Sequence, residues 1–191
     1  VADINPSRSG KVKLSTTDMV SFVPMKAVDD ITGTIAWPES RQLLEVAKGH
    51  TVFENGDVIF ARITPCMQNG KAALAQNLVN GIGFGSTEFH VFRPGPEVCG
   101  MWLYRLVRHR PFRDDATNHF KGTAGQQRVP QSFLEEKLVP VPPLSEQHRI
   151  MALLDSLQEK VNALKHLQAE TVDEINTMIP SILDRAFKGE L

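Results

Sequence analysis

The segment VPVPPLSEQ, Val139 to Gln147, divides the chain into two parts of different character. Before it, short apolar runs alternate with turn residues, and after it only a single glycine occurs. Proline disfavours helix in the residue that precedes it, so the three prolines keep this segment extended. Ser145 then suits a helix N-cap, and Glu146 suits the first turn, where the helix dipole favours negative charge. We therefore predict a globular part, residues 1–143, and a helical part, residues 144–191.

The helical part carries an apolar stripe whose members alternate in steps of four and three. The stripe comprises Ile150, Leu154, Leu157, Val161, Leu164, Ile175, Met178 and Ile182. This spacing is typical of a coiled-coil seam, and Gln168 and Thr171 form a polar layer in its middle. A helix from about Glu146 to about Phe187 would be roughly 60 Å long, with Pro180 expected to kink or break it. Its length favours pairing with a partner helix over packing on its own domain.

The globular part has the pattern of a mixed α/β domain. Turn signals at Asn55-Gly56 and Asn69-Gly70 precede predicted strands at residues 57–63 and 71–75. Further strands are predicted in VSFVPM, STEFHVFRP and EKLVPVP (residues 20–25, 86–94 and 136–142), and helices at residues 97–109 and 114–120. The predicted fold class is α+β, a mixed α/β globular domain followed by a long C-terminal coiled-coil helix.

Composition excludes several classes of protein. The net charge of the 191-residue chain is −1, so it is not a generally basic nucleic-acid binder. No apolar run approaches the ~18 residues of a membrane span. The two cysteines lie far apart, which suits a reducing cytoplasm better than a disulfide framework. Positive charge is concentrated locally, because residues 105–128 hold six basic and two acidic side chains, a net charge of +4.

No catalytic constellation is evident. Cysteines and histidines lack metal-ligand spacing, and His90 and His119 are interpreted as polar surface or loop residues. The glycine-rich GIGFGST, residues 81–87, lacks the lysine of a phosphate-binding loop. Glu135 and Lys137 could form half of a nuclease site, although such a site needs another acidic residue, and a solvated charge run is the plainer interpretation. We assign no catalytic residue, metal or cofactor to the chain.

Two polar loops remain, RITPCMQNGK (residues 62–71) and GTAGQQRV (residues 122–129). Lysine and arginine neutralise phosphates, and glutamine and arginine make paired hydrogen bonds to adenine and guanine edges. These loops therefore suit DNA binding, with plain solvated turns as the alternative for each loop. A coiled-coil protein–protein scaffold that never touches DNA is the alternative for the whole chain.

Five segments, in this order, resemble half of a DNA-specificity subunit of a type I restriction–modification system. They are ARITPCMQNGKAAL, GSTEFHVFRP, GTAGQQRVP, PVPPLSEQHRI and ILDRAFKGEL. The resemblance implies a non-catalytic subunit, in which a target recognition domain reads one half of a split DNA sequence and a long helix acts as a spacer. It also implies partners, namely modification subunits that use S-adenosylmethionine and restriction subunits that use ATP and Mg²⁺.

The resemblance turns the two loops into a set of candidate contacts to double-stranded DNA. These are Arg62, Thr64, Gln68, Asn69, Lys71, Lys121, Thr123, Gln126, Gln127 and Arg128. Members of the family read different DNA sequences, so motifs that they share are poor candidates for base reading and suit contacts to the DNA backbone. Base choice is therefore expected from residues 32–50 and 76–83.

The chain departs from the family plan, in which one subunit carries two recognition domains and two spacer helices. One of each is evident here, and the opening VADINPS resembles the continuation of a longer segment. A fragment of a longer subunit and a natural half-subunit both remain open. We expect the helix to pair in an antiparallel homodimer or with a second half-subunit.

Overall fold

The computed structural model describes residues 1–10, 12–123 and 125–189. It comprises two compact units, Val1–Gln147 and His148–Leu191. In the described part of the chain, no helix is both long and apolar enough to cross a membrane. The predicted division of function after residue 143 stays a prediction.

The first unit contains two four-stranded sheets. The first sheet has the order β1-β8-β5-β6 and is antiparallel throughout, with strands β1 Ala2–Ile4, β5 Val58–Ala61, β6 Ala72–Leu74 and β8 Phe89–Pro94. The second has the order β3-β2-β7-β4, with β2 Met19–Val23, β3 Glu39–Gln42, β4 Thr51–Glu54 and β7 Ile82–Gly85. Its central pair, β2 and β7, is parallel.

In the described part of the chain, the first unit also contains four short α-helices and two short 3-10 helices (Met25–Ala27 and Val79–Gly81), and one long α-helix follows. The α-helices are α1 Leu43–Val46, α2 Gly100–Arg108, α3 Arg110–Asn118, α4 Gln131–Glu136 and α5 Leu144–Phe187. Helix α3 begins earlier than predicted, at Arg110, because His109 is its N-cap and Pro111 occupies its first turn, where a missing N–H does no harm.

The first sheet is buried on both faces, and strand β5 shows how the core is divided. Side chains alternate along a strand. Val58 and Phe60 therefore pack with Leu103 and Val107 of α2, whereas Ile59 packs in a cluster with residues of both sheets. This two-sided burial explains why β5 is apolar at every position instead of alternating.

The glycines of GIGFGST belong to β7, which is a buried strand. A Cβ at Gly83 would lie only 2.3 Å from Cε2 of Phe53 on the neighbouring strand β4. Glycine at this position therefore makes room for a fully buried aromatic ring. The glycine spacing in this segment is accounted for by packing.

The prediction of a strand in EKLVPVP is wrong. Helix α4 ends at Glu136, and residues 137–143 belong to no strand or helix. The physical reason is the proline content, because Pro140 and Pro142 lack the N–H that a strand ladder requires. The apolar residues Val139 and Val141 instead pack against the core as extended chain.

Helix α5 has 44 residues and includes Pro180 in its interior, so the helix continues past the predicted break. At 1.5 Å per residue it is about 66 Å long. In the described part of the second unit the apolar stripe is exposed from Leu154 onward, whereas Ile150 is half-buried. Leu157, Leu164 and Met178, for example, expose 48%, 60% and 58% of their surface. The predicted fold class, an α+β domain followed by a long helix, is confirmed, whereas the pairing of that helix stays a prediction.

Candidate functional site

The two polar loops singled out in the sequence lie side by side in the first unit. The amide of Thr64 donates to the carbonyl of Gln127 (3.0 Å), and the amide of Val129 donates to the carbonyl of Arg62 (2.9 Å). Residues 62–71, 121–123 and 125–128 therefore form one surface, which we call the double loop. Sequence spacing placed these residues in two separate loops, and the backbone pairing brings them together.

The second loop is a hairpin closed by Lys121 and Arg128, whose backbone amides each donate to the other's carbonyl at 3.0 and 2.9 Å. Gly122 has φ +114°, and a Cβ there would lie 2.9 Å from the carbonyl oxygen of Gln126. Glycine is needed here both for the positive φ and for the close backbone approach. The conformation of the hairpin thus depends on a residue that makes no side-chain contact.

The double loop presents amides and one lysine to solvent. Its exposed side chains among the predicted contacts are Gln68, Asn69, Lys121, Thr123 and Gln126. The remaining predicted contacts, Arg62, Thr64, Lys71, Gln127 and Arg128, are half-buried. Within the described residues, the Lys121 ammonium has no hydrogen-bond or ion-pair partner in the protein.

Arg128 is engaged inside the protein. Its guanidinium donates Nε and Nη2 to the Glu88 carboxylate, with distances down to 2.7 Å. These hydrogen bonds, against the opposing effect of burial, hold the pKa of Glu88 below its usual value and raise that of Arg128. Glu88, from the STEF segment, was not predicted as a site residue. The ion pair favours a bracing role for Arg128, whose contact with DNA stays a prediction.

Lys71 is likewise directed inward. Its ammonium donates to the carbonyl oxygen of Val28 at 2.7 Å and approaches that of Met25 at 3.5 Å. This joins the end of the first loop to residues 25–28. The geometry favours a structural role for Lys71, and its predicted phosphate contact stays untested.

Arg62 is half-buried and forms no direct ion pair among the described residues. Its half-buried side chain lies close enough to Glu88 to contribute to the lowered pKa of that carboxyl group. Its Nε is buried and has no hydrogen-bond partner among the described residues. A buried Nε is not accessible to a ligand, so among the described residues Lys121 is the predicted basic contact whose charged group is both exposed and unpartnered.

Two arginines of the basic segment, residues 105–128, donate hydrogen bonds to the backbone of neighbouring loops. Arg113 donates Nε to the carbonyl of Arg108 at 3.1 Å and Nη1 to the carbonyl of Gln68 in the double loop. Arg108 donates Nη2 to the carbonyls of Asp30 and Ile31, each at 2.9 Å. Much of the local positive charge counted from the sequence is thus used to hold backbone in place.

The interpretation of His90 as a surface or loop residue is wrong, because its side chain is fully buried in β8. Its Nε2 lies 2.9 Å from the carbonyl of Val129, so this nitrogen carries the proton, and Nδ1 accepts from the Asn5 amide at 3.0 Å. Val129 ends the second loop, so His90 anchors the double loop to the sheet. Burial lowers the pKa of His90 from 6.5 to about 4.

This pKa shift predicts a specific loss of stability in mild acid. A histidine whose pKa is lower in the folded than in the unfolded state contributes fully to the free energy of unfolding above its unfolded pKa of 6.5. This contribution declines as the pH falls toward the folded-state pKa of about 4. The free energy of unfolding should decrease by about 2.5 kcal/mol between pH 7 and pH 4.5. Urea unfolding at pH 7 and pH 4.5 measures it. His90→Gln, which cannot titrate, should show a smaller decrease, and an equal decrease in both proteins would contradict the assignment.

The Glu135–Lys137 segment shows no nuclease-like grouping. The Lys137 ammonium is paired with the Asp115 carboxylate, and Glu135 accepts a hydrogen bond from the Gln131 amide at 2.7 Å. No group of three or more histidine, cysteine, aspartate or glutamate side chains in the described residues could hold a metal ion. Lys137 and Glu135 thus each have a partner within the protein.

Sequence comparison links the chain to known proteins. A profile for the family described as type I restriction modification DNA specificity domain matches residues 3–180. The specificity subunit of the type I restriction enzyme EcoAI from Escherichia coli is 35% identical over 185 residues, covering 96% of this chain and 31% of that protein. The EcoEI specificity subunit, also from Escherichia coli, is 33% identical over 187 residues, covering 96% and 30%. The chain thus spans about a third of the length of these relatives.

Structural comparison gives a consistent result. The crystal structure of an HsdS subunit from Thermoanaerobacter tengcongensis matches with a TM-score of 0.66 and 29% identity, covering 82% of this chain and 40% of that one. A chain from work on complex assembly and conformational transition of the type I R-M system has a TM-score of 0.65 at 29% identity, with the same coverage. The family match to residues 3–180 includes the globular unit and most of α5.

Proposed function

Because the chain belongs to the family of type I restriction–modification DNA specificity domains, we propose that its globular unit reads one half of a split target in double-stranded DNA. The observation that carries this proposal is the double loop, in which two separate polar segments pair through their backbones. The paired loops present exposed amides and an unpartnered lysine together, the chemistry that suits phosphates and base edges.

Within this proposal the double loop holds the DNA backbone. Lys121 and Arg62 supply positive charge, and the exposed Gln68, Asn69, Thr123 and Gln126 supply neutral hydrogen-bonding groups. Half or more of protein–DNA hydrogen bonds go to phosphate and sugar, and these fix the register of a protein on the duplex. Arg128, Lys71 and Arg113 keep the loops in position through their internal hydrogen bonds.

The chemical steps belong to other subunits in this proposal. Modification subunits supply adenine methylation with S-adenosylmethionine, and restriction subunits supply ATP-dependent translocation and Mg²⁺-dependent cleavage. The chain itself is non-catalytic and determines where those partners act. The similarity to proteins named as specificity subunits supports this division.

We assign the exposed stripe of α5 to pairing with the helix of a second copy, or of a second half-subunit, in an antiparallel arrangement. A homodimer with two-fold symmetry reads an inverted repeat. At about 3.4 Å per base pair, a helix of about 66 Å limits the half-site separation to about 19 base pairs. Partial overlap of the helices shortens that distance.

A coiled-coil scaffold without DNA contact is the competing function. The exposed stripe of α5 is compatible with that scaffold as well as with the DNA-binding subunit. The DNA-binding proposal is tested on Lys121, whose ammonium has no partner within the described protein. Lys121→Ala should weaken binding to every duplex by about five- to tenfold at 0.1 M salt and reduce the slope of log affinity against log salt by about one. Fluorescence anisotropy with a random-sequence duplex across a salt series measures both.

The matched control is Lys160→Ala, which removes the same charge from an exposed position on α5 and should change neither quantity. Equal affinity and slope for the Lys121 variant and the unaltered protein would contradict the phosphate contact. Absence of salt-dependent binding by the unaltered protein would favour the scaffold.

A further inference from the structure

A second polar site lies beside helix α2. It is a cleft of about 350 Å³ whose walls are residues 33–35 on one side and Gln76 and Asn77 on the other. Met101, Tyr104 and Arg105 of α2 complete the lining together with Leu74. The cleft thus brings together parts of the two segments, residues 32–50 and 76–83, from which base choice was expected.

The backbone leading into the first wall is hydrogen-bonded both by Asp29 and by side chains of α2. The Asp29 carboxylate accepts hydrogen bonds from the amides of Ile31 and Thr32 at 2.9 and 2.6 Å. From α2, the Tyr104 hydroxyl donates to the carbonyl of Thr32 at 3.2 Å, beside the two bonds from Arg108. Gly33 has φ +68°, and a Cβ there would lie 2.0 Å from the Tyr104 hydroxyl oxygen, so glycine permits this close packing. The wall is therefore a preformed surface.

The second wall has an anchored backbone and unengaged side chains. The amides of Ala75 and Leu78 donate to the Asp57 carbonyl (2.8 Å) and the Asn55 side chain (3.1 Å), so both ends of the turn are fixed. Between them Gln76 and Asn77 are exposed, and Asn77 adopts φ +54°. In the described part of the chain, neither side-chain amide has a hydrogen-bond partner. Two adjacent amides are thus presented on a fixed backbone.

Hydrogen bonds connect the first wall of the cleft to the double loop. Lys71, at the end of the first loop, bonds the carbonyl of Val28, next to the first wall. Arg113 bonds the backbone of Gln68 and of Arg108, and Arg108 bonds the tip of the first wall. These bonds fix the first wall of the cleft relative to the double loop.

We propose that this cleft reads base edges of the duplex, with Gln76 and Asn77 as the specificity-determining side chains. Glutamine and asparagine make paired hydrogen bonds to the N6 and N7 positions of adenine. The neutral amides and the carboxylate of Asp29 behind the first wall suit a base edge better than a phosphate. The inference rests on the proposed DNA-binding function and assigns its sequence choice to a site separate from the double loop.

The test is selection of bound duplexes from a random library by the complete 191-residue chain, followed by affinity measurements on the selected site and its single-base variants. The test protein carries Gln76→Ala and Asn77→Gly, since glycine keeps the positive φ that alanine would strain. Discrimination at one or two adjacent positions should fall by tenfold or more. Affinity for random duplex and its salt slope should not change.

The matched control is Gln126→Ala with Gln127→Ala, which removes two neighbouring amides from the double loop. This control should weaken binding to all duplexes and leave the selected sequence unchanged. Gln76→Ala alone, at an exposed position without contacts, tests the proposal if the double variant unfolds. An unchanged selected sequence, or an equal loss on every duplex, would overturn the cleft assignment, whereas no DNA binding by the unaltered chain would contradict the proposed function itself.

Discussion

A chain carrying Leu157→Glu and Leu164→Glu should sediment as a monomer at micromolar concentration, where the unaltered chain should sediment as the proposed dimer. Burial of a leucine side chain contributes roughly 1.5–3 kcal/mol, and two-fold symmetry makes each substitution count twice. Four lost side chains remove at least about 6 kcal/mol, which raises the dissociation constant by about ten-thousand-fold. Both residues are about half exposed within their own unit, so the first unit should keep its fold.

The control places the same charges on the same helix at the same spacing. Ser156→Glu and Ala163→Glu lie seven residues apart on the side away from the seam and should leave the dimer intact. Analytical ultracentrifugation at micromolar concentration distinguishes the three proteins. A monomeric unaltered chain would exclude the homodimer and direct attention to a second half-subunit as the partner of the helix.

Replacing Gln147 with alanine should destabilise the first unit by about 4 kcal/mol. The side chain is fully buried, and its Oε1 accepts from the amide of Cys99 at 2.9 Å. Its Nε2 donates to the carbonyls of Glu97 and Pro142, each at 2.8 Å. Alanine leaves these three backbone groups buried without partners, at about 1–3 kcal/mol each, with partial relief from water. The glutamine of the LSEQ segment thus ties the first turn of α5 to the segment before α2.

Urea unfolding followed by tryptophan fluorescence measures this effect, because the Trp102 ring N–H donates to the carbonyl of Pro140 at 3.1 Å, close to the site. Gln147→Glu should be similarly destabilising, since a carboxylate cannot donate to the two carbonyls. Gln126→Ala is the matched control, in which the same group is removed from an exposed position without loss of stability. A Gln147→Ala protein within 1 kcal/mol of the unaltered chain would contradict the role of these three bonds.

The family and the long helix followed from local patterns. The five ordered segments predicted the family, which the match to residues 3–180 confirms. The predicted helix from about Glu146 to Phe187 differs from Leu144–Phe187 only at its start. Helix α5 was predictable because a period of four and three repeats along the chain itself, without knowledge of anything distant in sequence.

The roles of individual charges were not predictable in this way. Arg128, Lys71, Arg108 and Arg113 were all counted as positive charge suited to DNA, yet each donates hydrogen bonds within the protein. Each of the four has an acceptor far away in sequence, for example Glu88 for Arg128 and Gln68 for Arg113. A charge count cannot show which charges are already paired, since pairing depends on distances that only the folded chain sets.

The burial of His90 illustrates the same limit. Alternation in STEFHVFRP predicted a strand with His90 on its polar side, as in a sheet with one solvated face. The first sheet is instead covered on both faces, and the carbonyl of Val129 and the amide of Asn5 satisfy the imidazole. Only long-range packing determines whether the second face of a strand meets water or protein.

The sequence by itself determined the family, the α+β class, the start of the second part near Val139 to Gln147, and the apolar stripe of the helix. Each of these depends on composition or on spacing within a few turns of chain. Only the tertiary structure joined the two polar loops into one surface, set Arg128 and Lys71 to brace it, and formed the cleft beside α2 from residues 33–35 and 76–77. Those features depend on backbone hydrogen bonds and ion pairs between residues tens of positions apart, which spacing along the chain does not encode.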